Sequence, residues 1–102
     1  MFTVIYQWRV KAGREAEFES VWRRRTQRIF LVRGSYGSRL HRASDGTYWA
    51  IALWPSREAW SVTTPPLPDD EADATMFRDC LEETLRVQTL DCVDDLWTLP
   101  EV

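Results

Sequence analysis

His41 is the single imidazole in the chain, and so the one side chain whose ordinary pKa suits proton transfer at neutral pH. Tyr6 adds a phenol, whose ring can pack while its hydroxyl binds a polar group. These two are the candidate catalytic residues, with a dimer-interface or rim position beside Trp49 as the favoured alternative for His41. Ser35 and Ser38 supply nucleophile types upstream of His41, but no nucleophile elbow and no acid at a suitable spacing accompanies them, which argues against a hydrolase. Arg39 offers a guanidinium fork for an anion, or for a carboxylate such as Asp91 or Asp94 across an interface, and the interface role is the one expected. In a strand, the adjacent Asp94 and Asp95 would point to opposite faces with no His or Cys to complete a site. Cys80 and Cys92 lie outside any metal-ligand spacing. There is no glycine-rich phosphate loop or dinucleotide fingerprint. Neither a metal nor a bound cofactor is expected.

What remains is an excess of rings. Six Trp, three Tyr and four Phe in 102 residues are more than a core of this size needs, so some should line a cavity or an interface. Tyr6, Trp8, Trp22, Trp60 and Phe77 are the candidate walls of a pocket for a flat aromatic ligand, with simple core packing as the alternative role of each. The net charge of −3 argues against nucleic acid, which requires a dominant basic surface. The charge is unevenly spread. Residues 1–60 carry eleven Lys/Arg against five acids and residues 61–102 two Arg against eleven, so the two halves should touch within a protomer or across a dimer. No apolar run approaches the roughly 20 residues of a membrane span. The start of the chain lacks the features of a signal peptide, and reduced cysteines in the cytoplasm are expected.

The elements that must position these residues follow from hydrophobic period. Residues 2–10 alternate as a first strand. After Gly13, Phe18, Val21, Trp22 and Ile29 recur at helical spacing, with Glu15, Glu17 and Glu19 early and Arg23, Arg24, Arg25 and Arg28 late, matching the helix dipole. Asp45-Gly46 between two alternating runs, 34–42 and 47–54, marks a hairpin. Ser56 caps a short helix through Trp60. Asp69, Asp70, Glu71 and Asp73 open a second long helix, whose apolar face is predicted to run Met76, Phe77, Cys80, Leu81, Thr84, Leu85. A bulged edge strand is predicted between Val87 and Leu99.

Strand, helix, strand, strand, helix, strand is the order of an α+β, ferredoxin-like βαββαβ plait, one domain over residues 1–102, with both helices on one face of an antiparallel sheet. If His41 opposes Trp49, Tyr6, Trp8, Leu40 and Trp54 share one face, while Ile5, Trp49, Ile51 and Leu53 share the other. Two helices cover a single face. Arg39, Trp49, Ile51 and Leu53 are therefore the expected homodimer interface, sheet against sheet.

Three stretches carry a family resemblance: Val4-Ile-Tyr-Gln-Trp-Arg-Val-Lys-Ala-Gly13, Gly34-Ser-Tyr-Gly-Ser-Arg-Leu-His41 and Leu53-Trp-Pro-Ser-Arg-Glu-Ala-Trp60. The sequence resembles the antibiotic biosynthesis monooxygenase family, a branch of the dimeric α+β barrel proteins. The resemblance implies a homodimer with one pocket per protomer between sheet and helices. It also implies cofactor-free, O2-dependent oxidation of a small aromatic or quinol-type compound. A non-catalytic dimeric ligand-binding or assembly module of the same fold is the alternative. Family oxygenases commonly place an Asn in the pocket, and this chain contains none. Positions that in the haem-degrading branch hold Asn, Trp and His correspond to Tyr6, Thr63 and about Leu81, so haem chemistry is not implied.

Overall fold

Alternation of large apolar with polar side chains keeps Phe2–Val10 extended as strand β1, and its even positions Phe2, Val4 and Trp8 are buried. Helix α1, Glu15–Arg33, buries Phe18 and Val21 completely and ends at Gly34, whose positive φ of 72° closes the helix in the left-handed conformation. The chain then forms β2 (Ser38–Arg42), β3 (Tyr48–Trp54), the short α2 (Arg57–Ser61), α3 (Glu71–Cys80) and β4 (Leu81–Asp91). These elements are those of a computed structural model, which describes residues 1–62 and 66–100.

The four strands run β2-β3-β1-β4, every neighbouring pair antiparallel. The fold is the ferredoxin-like α+β plait that the element order implied. In the β2–β3 hairpin, His41 stands opposite Trp49, the expected register. Its turn is fixed by the Asp45 carboxylate, which accepts from the Thr47 amide and hydroxyl at 2.9 and 2.7 Å. Register then sorts the side chains. Tyr6, Trp8, Tyr48, Ala50, Ala52 and Trp54 line up on one face, while Ile5, Trp49 and Ile51 line up on the other.

The helices pack on the first of these faces. A ring cluster of Trp8, Phe18, Tyr48 and Phe77 fills one end, with neighbouring centroids 5.0–5.6 Å apart. Removing a ring such as Phe18 from this cluster would cost about 3–5 kcal/mol. Tyr48 reaches through the cluster to donate a hydrogen bond to Glu19, and its burial and that neighbouring carboxylate push its pKa up to about 12. Burial likewise raises the pKa of the Cys80 thiol.

The two long helices are joined by ion pairs. Asp73 accepts from Arg24 at 2.9 Å and from Arg28 at 2.6 Å, and Asp70 accepts from Arg25 at 3.0 Å and Arg28 at 3.2 Å. Hydrogen bonds from Arg24 and Arg28 hold the Asp73 carboxyl down at about 2. The opposite charges of the two halves thus meet within the protomer.

The last third departs from the sequence reading. The helical face was predicted to continue through Thr84 and Leu85, yet α3 ends at Cys80, and the final strand runs over Leu81–Asp91 rather than between Val87 and Leu99. The cause is tertiary. β1 presents a nine-residue edge, and the Lys11 amide donates to the Cys80 carbonyl at 2.8 Å, drawing the chain into the sheet at that point. Pairing along this edge outweighs the i, i+4 spacing of Leu81 and Leu85, which fits a helix equally well. The bulges expected between Val87 and Leu99 lie earlier, as register shifts within 81–86 opposite Gln7/Trp8 and Arg9/Val10.

Candidate active site

Ala50 and Ala52 occupy the middle of β3 on the helix-covered face, and their methyl groups leave space that larger residues would fill. Above them lies a cavity of about 270 Å³. Tyr6 and Trp8 of β1 form one wall, Trp22, Arg25, Thr26 and Ile29 of α1 the roof, Phe77 of α3 one end, and Ser35, Ser38 and Trp54 the remainder. The apolar lining is thus interrupted by four hydroxyls and one guanidinium. Among the described residues, no carboxylate or imidazole lines the cavity.

Tyr6 is held by two contacts. Its ring stacks on Trp8 with centroids 5.2 Å apart and an interplanar angle of 9°, and its hydroxyl oxygen accepts a hydrogen bond from the Trp60 indole N–H at 3.2 Å. An indole nitrogen only donates, so this bond occupies the phenol as an acceptor and leaves its O–H proton for another partner. Trp60 itself sits on α2, which is capped by the Ser56 hydroxyl accepting from the Ala59 amide at 3.1 Å, and its ring leans on Phe2 at 5.7 Å.

Of the residues expected to line a pocket, Trp8, Trp22 and Phe77 are in the cavity wall, and Trp60 stands behind Tyr6 without lining it. The two catalytic candidates are not brought together. Tyr6 faces the cavity, whereas His41 is exposed on β2 opposite Trp49, on the other face of the sheet. Arg39, Trp49, Ile51 and Leu53, expected at a dimer interface, occupy that same outer face. Trp49, Ile51 and Leu53 are half-buried there, and Arg39 is exposed with its guanidinium 5.2 Å from the Trp97 ring. A second hollow of about 440 Å³ lies beside them, between Ile51, Leu53, Trp97 and Leu99, and it shares Trp22, Thr26 and Ser38 with the first.

The sequence profile of the antibiotic biosynthesis monooxygenase family matches residues 1–62, which carry β1 through α2 and most of the cavity. The chain belongs to this family. Solved structures agree with the fold of this family member. SnoaB, a cofactor-independent oxygenase from Streptomyces nogalater, is 26% identical, with a TM-score of 0.74 over 93% of this chain and 95% of its own. A Bordetella bronchiseptica protein assigned to the family is 23% identical, with a TM-score of 0.74 over 90% of this chain and 96% of its own. Another, from Caulobacter crescentus, is 20% identical, with a TM-score of 0.76 over 91% of this chain and 90% of its own. No curated protein matches the sequence.

Within this monooxygenase-family chain, two of the positions compared with the haem-degrading branch, Tyr6 and Leu81, do not share the cavity. Tyr6 is in the cavity, Leu81 begins β4 rather than lying on a helix, and Thr63 lies outside the described residues. The sequence reading missed Arg25, Thr26, Ile29, Ser35, Ser38, Ala50, Ala52 and Trp54 as cavity residues. Two small residues at alternate positions of a central strand were the available signal.

Proposed function

We propose that the chain binds a small aromatic or quinol-type compound in the cavity beneath Trp22 and oxidises it with O2, without a bound cofactor. The observation that carries this reading is an open cavity with a Tyr6 O–H free to donate inside it. An electron-rich aromatic anion supplies the electrons for oxygen. The protein's part is to stack the ring, exclude water and stabilise the charge on the substrate oxygen. Trp8 and Trp22 offer stacking faces, and Tyr6 is the donor. The likeness to SnoaB, itself a cofactor-independent oxygenase, supports the same chemistry. Exposed on the opposite face, His41 is not retained as the proton acceptor.

The second copy belongs on the outer face, where Trp49, Ile51 and Leu53 lie uncovered by either helix, and the working unit of this proposal is a homodimer. We place it in the cytoplasm with Cys80 and Cys92 as thiols; among the described residues no helix is long and apolar enough to cross a membrane.

A second reading, a non-catalytic dimeric module that binds an aromatic ligand, is favoured by the lack of a carboxylate or imidazole in the described cavity wall. Oxygen consumption separates the two. Metal-free protein mixed with anthrones, hydroquinols and catechols should consume O2 above autoxidation and show quenched Trp fluorescence. Quenching without uptake across the panel would select the binding module. Neither signal would overturn both readings.

A further inference from the structure

Among the described residues, the one charged side chain in the cavity wall is Arg25. Its Nε and Nη2 donate to the two oxygens of Asp70 at 3.0 and 3.1 Å, a bidentate grip that fixes the plane of the guanidinium. Nη1 has no hydrogen-bond partner recorded among the described residues. The guanidinium carbon also stands 5.3 Å from the centroid of Phe77, itself part of the cavity wall. Arg24, Arg25 and Arg28 face two carboxylates, Asp70 and Asp73, so this network retains one positive charge. With its side chain 26% exposed, Arg25 is shielded enough for that charge to be felt inside the cavity.

From this geometry we infer that the cavity selects aromatic compounds already carrying a negative charge at neutral pH, with Arg25 as the residue that anchors the anion and Asp70 as the residue that positions Arg25. This rests on the cavity being the ligand site, as in the reading above, and names its ligand class. Among the described residues the wall carries no carboxylate, so an anionic ligand meets no like charge there. The Tyr6 O–H then donates to one oxygen and Arg25 to the same or a second one, while the ring stacks between the aromatic walls. A cavity of about 270 Å³ lies just below the usual range of ligand pockets and suits a small aromatic compound.

The test compares two ligands of nearly equal shape, 2-naphthoate and 2-naphthamide, titrated against the unmodified protein at pH 7 with Trp fluorescence as the readout. Naphthoate should bind about tenfold tighter or better, the value of one charge-assisted hydrogen bond. Arg25→Gln should reduce that ratio to near one, and Arg25→Lys should keep part of the preference. Equal affinities in the unmodified protein, no naphthoate binding, or a preference that survives Arg25→Gln would overturn the inference. Because the readout is binding, it stands apart from turnover. A naphthoate preference in a protein that consumes no O2 would remove the oxygenase reading and leave Arg25 in place.

Discussion

The chemistry proposed for this chain depends on the unused proton of Tyr6. The Trp60 indole occupies the phenol oxygen as a donor at 3.2 Å, so the hydroxyl is oriented before any ligand arrives. Tyr6→Phe keeps the ring that stacks on Trp8 and removes the donor. It should lower kcat/KM for a quinol about a hundredfold, the loss of one hydrogen bond to a charged oxygen. Steady-state oxygen uptake checks this, and a variant with unchanged kcat/KM would remove Tyr6 from the chemistry. The large rings of the cavity were legible in the sequence because bulky aromatics announce themselves. Ala50 and Ala52 were not, since a cavity is made by atoms that are missing and small residues in a strand look like filler. Arg25 was hidden for another reason. A run of arginines late in a helix is already accounted for by the helix dipole, and the acids that single one out lie more than forty residues away.

At the scale of elements, α1 and α3 hold the roof of the cavity through the arginine–aspartate network. Asp73 is buried and its carboxyl is depressed to about 2. A depressed carboxyl stabilises the fold fully at pH values above its unfolded pKa, near 4, where it is ionised in both states. As the pH falls from about 4 toward 2, the unfolded chain takes up the proton first, and the stabilisation declines. Asp73→Asn should therefore lower the thermal midpoint at pH 7 by an amount equivalent to about 1–2 kcal/mol, and the gap from the unmodified protein should narrow as the pH approaches 2. Thermal melts at both pH values check this; a gap independent of pH would assign the effect to shape rather than charge. The elements from β1 through α2 were legible because period and caps agreed, as with Ser56 before α2. The boundary at Cys80 was not, because Leu81 and Leu85 satisfy a helical spacing and only the long free edge of β1 decides for a strand.

For the whole molecule, the sheet's two apolar faces govern assembly. One is covered by α1 and α3, and the other presents Ile5, Trp49, Ile51 and Leu53 half-buried. A carboxylate placed in the centre of a sheet-on-sheet contact would be desolvated without a partner. In sedimentation velocity the unmodified chain should sediment as the proposed dimer and Ile51→Asp as monomers or aggregates; an unchanged dimer in the variant would remove this face from the interface.

The central claim is that oxidation takes place in the cavity above Ala52. Ala52→Leu adds a side chain into space already present, a change a core with a void can accept, and it leaves Tyr6, Trp22 and Arg25 in place. Oxygen uptake by the metal-free protein, before and after this substitution, is the direct measurement, with circular dichroism confirming that the fold is kept. The account predicts uptake above autoxidation in the unmodified chain, falling at least about tenfold when the cavity is filled. Uptake that persists undiminished in the folded Ala52→Leu variant would place the chemistry elsewhere and contradict the account.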